Sequence, residues 1–251
     1  MRTLLLIFLV GNYFSFSQVI NVESLRKPSD STKWSGSVSF DVSLIKNTAD
    51  IFRIANKAHV QYNYKKNLWL FVNDLNFQKV EGNSLVNRGT QHLRFNRKLN
   101  PMLKWEIFAQ AQYDAISEID FRGLVGTGPR FKLSKNDDYR FYLGTLIMYE
   151  YEEATNVVMG DRIRRDFRGS AYLSFSLYPT ENLSIISTSY YQPRIDKFGD
   201  YRLSSNSSIL FQIMKNLAFK TNFNFFYDAF PVSPAIPKTQ YELTNGILYS
   251  F

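Results

Sequence analysis

The sequence has no cysteine, two histidines, no block rich in lysine and arginine, and no apolar run long enough to cross a membrane as a helix. Each lack excludes something. Without cysteine there are no disulfides, thiolate metal sites, catalytic thiols or lipidated N-terminal cysteine. Two isolated histidines, His59 and His92, are too few for a transition-metal site and leave no histidine-based constellation singled out by spacing. The formal net charge is +8, but the charges are spread along the chain, so the excess does not mark a nucleic-acid surface. A spanning helix needs roughly 20 consecutive apolar residues. The apolar segment from Leu4 to Val10 is well short of that, which excludes a helical membrane protein.

What is present begins with "MRTLLLIFLVGNYFSFSQ". One basic residue, an apolar stretch, and Ser15 and Ser17 at the minus-three and minus-one spacing before Gln18 predict a secretory signal over residues 1–17. Residues 18–33 are polar and read as a short periplasmic arm.

From Trp34 the governing signal is a period of two. In "WSGSVSFDVSL" Trp34, Val38, Phe40, Val42 and Leu44 alternate with Ser35, Ser37, Ser39, Asp41 and Ser43, the pattern of a strand with two unlike faces. Continued along the chain, it predicts twelve strands at 34–45, 51–64, 68–79, 89–99, 102–115, 119–133, 139–152, 164–178, 183–193, 201–213, 217–229 and 239–251. The ninth is the weakest, because its two faces differ little. Connections after the second, fourth, sixth, eighth and tenth strands read as tight turns, and those after the third, seventh, ninth and eleventh as longer loops. An even strand number with loops sorted to one end predicts an all-β fold, a 12-stranded antiparallel transmembrane β-barrel of the outer-membrane type over 34–251.

Alternation does not say which face points inward. Twelve strands enclose more space than the eight-stranded barrel that side chains just fill, so a dry apolar interior would leave void. The polar face is therefore assigned to the lumen, with Arg94, Lys104, Glu106, Asp114, Arg122, Arg130, Glu150, Arg168 and Arg202 as its charge network. Expected pairs are Asp114 with Arg122, and Glu150 and Glu152 with Arg164 and Arg168; Arg194 and Arg202 flank a further loop. The apolar face is assigned to outer-membrane lipid, with aromatics near strand ends, Trp34, Trp69, Trp105, Tyr113, Tyr151, Tyr227 and Tyr241, as girdles at both interfaces. Gly123, Gly126 and Gly128 are followed by Pro129 and an alternating segment rather than a helix, so they leave room for a large side chain instead of cradling phosphate. Glu152, Glu153, Asp137 and Asp138 are acidic enough to attract a divalent cation and equally read as solvated turn residues.

The chain ends "TNGILYSF". Thr244, Gly246, Tyr249 and Phe251 stand at a spacing that resembles the C-terminal signal by which the barrel-assembly machinery captures its substrates. Three further segments, "NRGTQHLRFNRKLNP" (87–101), "AQYDAISEIDFRGLVGTGPRFKL" (111–133) and "YYQPRIDKFGDYRLSS" (190–205), resemble the uncharacterised outer-membrane family that includes the salt-stress-induced YdiY-like barrels. That resemblance implies the cell outer membrane as location and no settled activity. The expected function is a structural or narrow small-solute or ion channel without catalysis, cofactor or metal. The alternative is an interaction subunit of a larger outer-membrane complex. An outer-membrane lipid-modifying enzyme ranks last, because His59 and His92 fall on the polar face, away from lipid.

Overall fold

The period-two segments form strands, and their hydrogen bonds link sequence neighbours throughout. A computed structural model describes residues 33–46, 49–134, 136, 138–154 and 162–249. The strands are β1 (Trp34–Lys46), β2 (Asp50–Tyr64), β3 (Asn67–Val80), β4 (Asn83–Lys98), β5 (Leu103–Asp114), β6 (Ile119–Lys132), β7 (Tyr139–Ala154), β8 (Ile163–Thr180), β9 (Leu183–Pro193), β10 (Tyr201–Met214), β11 (Leu217–Asp228) and β12 (Thr239–Tyr249). They make one 12-stranded antiparallel sheet in sequence order. Among the described residues there is no helix, and no hydrogen-bonded ladder joins β1 to β12. The expected signal and nearly all of the arm lie outside the described residues, as does Phe251.

The sheet curls on itself, so side chains of strands that are not neighbours meet on its concave side. Arg202 of β10 reaches Glu150 and Glu152 of β7, and the Tyr172 hydroxyl of β8 donates to Glu106 of β5 at 2.7 Å. Alternation assigns the faces as polarity predicts. Phe40, Leu173 and Phe223 are exposed on the convex face, whereas Arg94 and Arg168 are buried on the concave one. β9 is a full strand despite its indistinct faces, paired with β8 and β10.

One connection differs from expectation. The segment after β3 is a two-residue turn, because β4 begins at Asn83 and Val80 already pairs with it. Glu81 and Gly82 both have positive φ, 50° and 77°, as a type I′ hairpin requires. The sorting of loops is therefore partial, with the long connections confined to 155–162, 194–200 and 229–238.

Three glycines shape the concave wall. A Cβ at Gly126 would lie 2.5 Å from the Phe108 ring, and one at Gly144 2.0 Å from the Tyr172 ring, so each glycine gives a ring from a nearby strand a flat bed. At Gly128 the obstruction is backbone, the Thr145 carbonyl oxygen at 2.2 Å.

Candidate functional site

The concave side is layered. Nearest the 99–102 turn, Glu106 is the hub: Arg94 lies 3.6 Å and Arg130 3.9 Å away, and Tyr172 donates to it. Arg130 also stacks over Tyr142, its guanidinium carbon 3.8 Å from the ring centroid. His92 sits beside this hub. The Nε–H of Arg94 donates to His92 Nε2 at 3.2 Å, so the neutral ring carries its proton on Nδ1 and donates it to Gln110 at 2.9 Å. Gln110 in turn donates to Gln112 at 2.6 Å. This chain of bonds is directional, running from Arg94 through His92 and Gln110 to Gln112.

The middle layer is apolar: Phe108, Leu146, Met148, Tyr172 and Tyr190 pack together with Leu124 against them. A cavity of about 40 Å³ lies among these residues, Arg122, Glu150, Gln192 and Arg202. At roughly 10–15 Å³ per water it has room for about three or four.

Above lies the densest charge layer. Glu150, only 1% exposed, takes Arg122 from β6 at 3.2 Å, Arg168 from β8 at 3.0 Å and Arg202 from β10 at 2.5 Å. Glu152 takes Arg122 at 3.0 Å, Arg202 at 3.1 Å and Arg164 at 3.8 Å. Arg202 continues to Asp228 of β11 at 2.8 Å, and Arg168 to Asp200 at 3.1 Å. Two carboxylates thus fasten strands from four positions around the curve. Removing one partner of such a buried pair costs about 3–5 kcal/mol, far more than an exposed pair.

The expected pairing of Glu150 and Glu152 with Arg168 and Arg164 is present, whereas one expected pairing and one expected placement need correction. Arg122 does not turn to Asp114 across their hairpin, because Glu150 and Glu152 on the other side offer it two carboxylates. Asp114 instead caps the 115–118 turn, accepting from the Ile116 and Ser117 amides at 3.0 and 3.4 Å. Glu152 is not a solvated turn residue but a buried ligand of arginines, since β7 runs on to Ala154. Glu153, on the outer phase, pairs with Arg162 at 3.2 Å. Asp137 lies outside the described residues. Lys104 is half-buried on the concave face. Sequence spacing did not single out Asp166, Asp200 or Asp228 as network members; the alternation Arg164, Asp166, Arg168 along β8 is the signal that finds the first.

At the loop end Arg194 holds Asp196 at 2.6 Å, Asp166 at 3.3 Å and Asp200 at 3.4 Å. The hydrogen bond from Arg194 keeps the exposed Asp196 carboxyl below its usual range, and the same bond raises the guanidinium. Both therefore stay charged at neutral pH.

The rest of the concave wall, from β9 to β12 and β1, carries mostly hydroxyls and amides, with Asp41, Lys220 and Glu242 on the same phase. Thr188 donates to Ser174 at 2.9 Å and Asn206 to Asn224 at 2.7 Å, while Ser35, Ser37 and Ser39 line β1 on the same phase.

On the convex face the aromatics form two bands. Near the short-turn end Trp34 packs on Tyr62 and Trp69 on Phe95, both at 4.5 Å, and Trp105 donates to Thr127 at 2.8 Å. Toward the other end stand Tyr113, Tyr151 against Phe121 at 6.1 Å, Tyr227 against Tyr201 at 5.5 Å, and exposed Tyr241. From Trp105 to Tyr113 along β5 is about 26 Å at 3.3 Å per residue, comparable with the ~25 Å apolar band of a membrane barrel. The convex face also holds polar residues that alternation hides. Gln91 donates to Asn73 at 3.2 Å, Asn73 to Asn56 at 2.5 Å, and Asn56 to the Ser39 carbonyl at 3.0 Å. Ser187 pairs with Ser207 and Ser189 with Ser205 in the same manner. Of the terminal pattern, Thr244, Gly246 and Tyr249 lie on β12 opposite Asn222, Lys220 and Leu217. Among the described residues, no group of three or more histidine, aspartate or glutamate side chains is placed to hold a metal.

A family described as "Protein of unknown function, DUF481" matches residues 29–251. The chain belongs to it. Among curated proteins the sequence has no match. Two solved structures are similar at low identity. One is a NanC porin in a rhombohedral crystal form, 9% identical, with a TM-score of 0.47, covering 85% of this chain and 100% of that one. The other is a bacterial polysaccharide outer membrane secretin, 6% identical, with a TM-score of 0.44, covering 87% and 90%.

Proposed function

We propose that this DUF481 member is an outer-membrane β-barrel that acts without catalysis, its interior closed to all but a narrow path. The observation carrying this reading is Glu150, one buried carboxylate clamping arginines from three separate strands across the interior. Such a cross-brace holds the barrel's shape and obstructs its bore. The path left for small polar solutes follows the hydroxyl and amide wall of β9 to β12 and β1. The convex apolar face meets lipid, and β1 closes on β12 there, because hydrocarbon leaves an open sheet edge no partner for its amides. The barrel-assembly machinery reads the terminal pattern, and the N-terminal leader directs export. The three segments quoted above further support placing the chain among the YdiY-like barrels.

Planar-bilayer conductance tests it. The purified barrel should carry little current, and the double substitution Arg122→Ala with Arg202→Ala should raise it several-fold as the brace opens. Equal conductance before and after would sink the brace as an obstruction. The amide ladder of Asn56, Asn73 and Gln91 on the convex face favours a second reading, an interaction subunit docking a partner there. No current together with a stable partner after mild solubilisation would support that reading instead.

A further inference from the structure

Residues 229–238, between β11 and β12, fold back over the charge layer. Ala229, Val232 and Ser233 are buried, and Pro231, Val232 and Ile236 roof a cavity of about 20 Å³ whose floor includes Arg122, Glu152, Arg202 and Asp228. The segment therefore stops the end of the interior that the charge layer already narrows. Phe230 points the other way, and three cations from three elements converge on it. Arg164 of β8 donates to its carbonyl at 3.1 Å, Lys197 of the 194–200 loop lies 4.0 Å from its ring centroid, and Lys238 lies 5.9 Å from it.

These cations hold weak partners. Among the described residues neither Lys197 nor Lys238 has a carboxylate within ion-pair distance, and the nearby Asp196 and Asp200 are engaged by Arg194. Arg164 has one further contact, Glu152 at 3.8 Å, at the long limit of an ion pair. A ring face and a neutral carbonyl attract cations less than a charged oxygen does. A ligand with several anionic oxygens offers these cations charged partners, which Phe230, with one carbonyl and one ring, does not.

We infer that Lys197, Lys238 and Arg164 form a binding site for a phosphate-bearing ligand, which Phe230 keeps shut and whose occupation lifts residues 229–236 off the charge layer while Lys238 stays anchored by the bond from the Asp228 amide. This rests on reading the interior as an obstructed passage, since only then does lifting the segment matter. The phosphate comes from a free solute or from a phosphorylated lipid headgroup of the surrounding leaflet.

The absence of cysteine makes a test direct, because Val232→Cys supplies the single thiol of the chain. The full-length protein in detergent micelles is labelled with a maleimide in chloride and in inorganic phosphate at matched ionic strength. Phosphate should speed labelling roughly tenfold, within the usual range of coupling between two sites. Lys197→Ala with Lys238→Ala should abolish that response. If free phosphate is inert but vesicles containing a phosphorylated lipid accelerate labelling over purely zwitterionic ones, the ligand is the headgroup. Equal rates in all conditions overturn the site. So does a Val232→Cys thiol that reacts in chloride as fast as one at exposed Gly199. Ser233→Cys repeats the measurement if Val232→Cys fails to fold. Conductance recorded on the same samples separates the two proposals. Labelling that responds to phosphate while current does not leaves the site standing and removes the passage, and current that rises without a labelling response does the reverse.

Discussion

Replacing Glu150 with glutamine keeps shape and removes one charge from the point where three arginines meet. The consequence can be worked out from the contacts. Arg122 retains Glu152 at 3.0 Å, Arg168 retains Asp200 at 3.1 Å, and Arg202 retains Glu152 and Asp228 at 3.1 and 2.8 Å. No arginine is stranded, so the loss belongs at the lower end of the range for a broken buried pair, about 3 kcal/mol. In a chain of this size each kcal/mol moves the melting midpoint by about 2–4 °C, so Glu150→Gln should lower it by about 6–12 °C. The assay is heat modifiability in micelles, following the shift from folded to unfolded band on a gel. Glu153→Gln is the internal comparison. Its partner Arg162 is 3.2 Å away but largely exposed, and an exposed pair contributes about 0–1 kcal/mol. Should both substitutions move the midpoint by the same small amount, Glu150 does not clamp the strands and the reasoning fails.

The other expected outcomes rest on separate contacts. Gly128→Ala places a Cβ against the Thr145 carbonyl and 2.7 Å from the Leu146 Cα, so backbone must shift, at a cost of about 1–3 kcal/mol or more in the same assay. Asn73→Leu strands the side-chain carbonyl of Asn56 and the NH2 of Gln91 and should cost about 1–3 kcal/mol, whereas replacing all three with leucine should be close to neutral, and a triple variant worse than the single would refute the ladder as a self-satisfied unit. Closure of the seam predicts that amides of β1 and β12 resist hydrogen exchange in micelles as well as those of β2 and β11; rapid exchange at both edges would count against a sealed cylinder. Because Arg194 holds the Asp196 carboxyl below its usual range, the contribution of that pair is present above the ordinary carboxylate pKa and is lost as pH falls through the depressed value. Acid titration by NMR should therefore find Asp196 protonating below the other exposed aspartates, and Arg194→Ala should return it to their range.

Apart from β9, the strands are legible because each has one face richer in Phe, Leu, Val or Tyr and one richer in Ser, Asn or charge, and a period of two cannot serve a helix. Where that contrast fades, reading falters. Residues 83–88, "NSLVNR", contain Asn and Ser that suit a loop equally well, and only the Glu81–Gly82 φ values reveal that the strand has already begun. The charged residues of the concave face are legible as a set, since alternation gives their side of the sheet. Their partners are not. Register assigns Glu150 its neighbours on β6 and β8, Leu124 and Asp166, yet one of the closest cations is Arg202, which reaches it from β10 only because the sheet curls. The apolar middle layer escapes for a related reason. Phe108, Leu146, Met148 and Tyr172 stand on the polar phase, and only the curvature that brings β5 to β8 makes them a cluster. The glycines are a partial exception, because Gly126 among large neighbours already signals room for a ring, though not that Phe108 fills it.

The charge balance of the interior bears on what could pass through it. In and beside the densest layer Arg122, Arg168, Arg194 and Arg202 lie against Glu150, Glu152, Asp166, Asp200 and Asp228, so these four arginines are answered by close carboxylates. Unanswered arginines favouring anions have no basis there. The excess positive charge of the chain lies elsewhere, with Lys65, Lys66, Lys98 and Lys215 exposed at the short-turn end. A cationic rim raises the local concentration of anions at that mouth, and salt screens the effect within about 10 Å at 0.1 M. A balanced layer deeper in does neither. Entry and passage are thus governed by different groups, and salt should weaken any anion preference of the rim while leaving the braced layer, whose charges are buried, nearly unaffected.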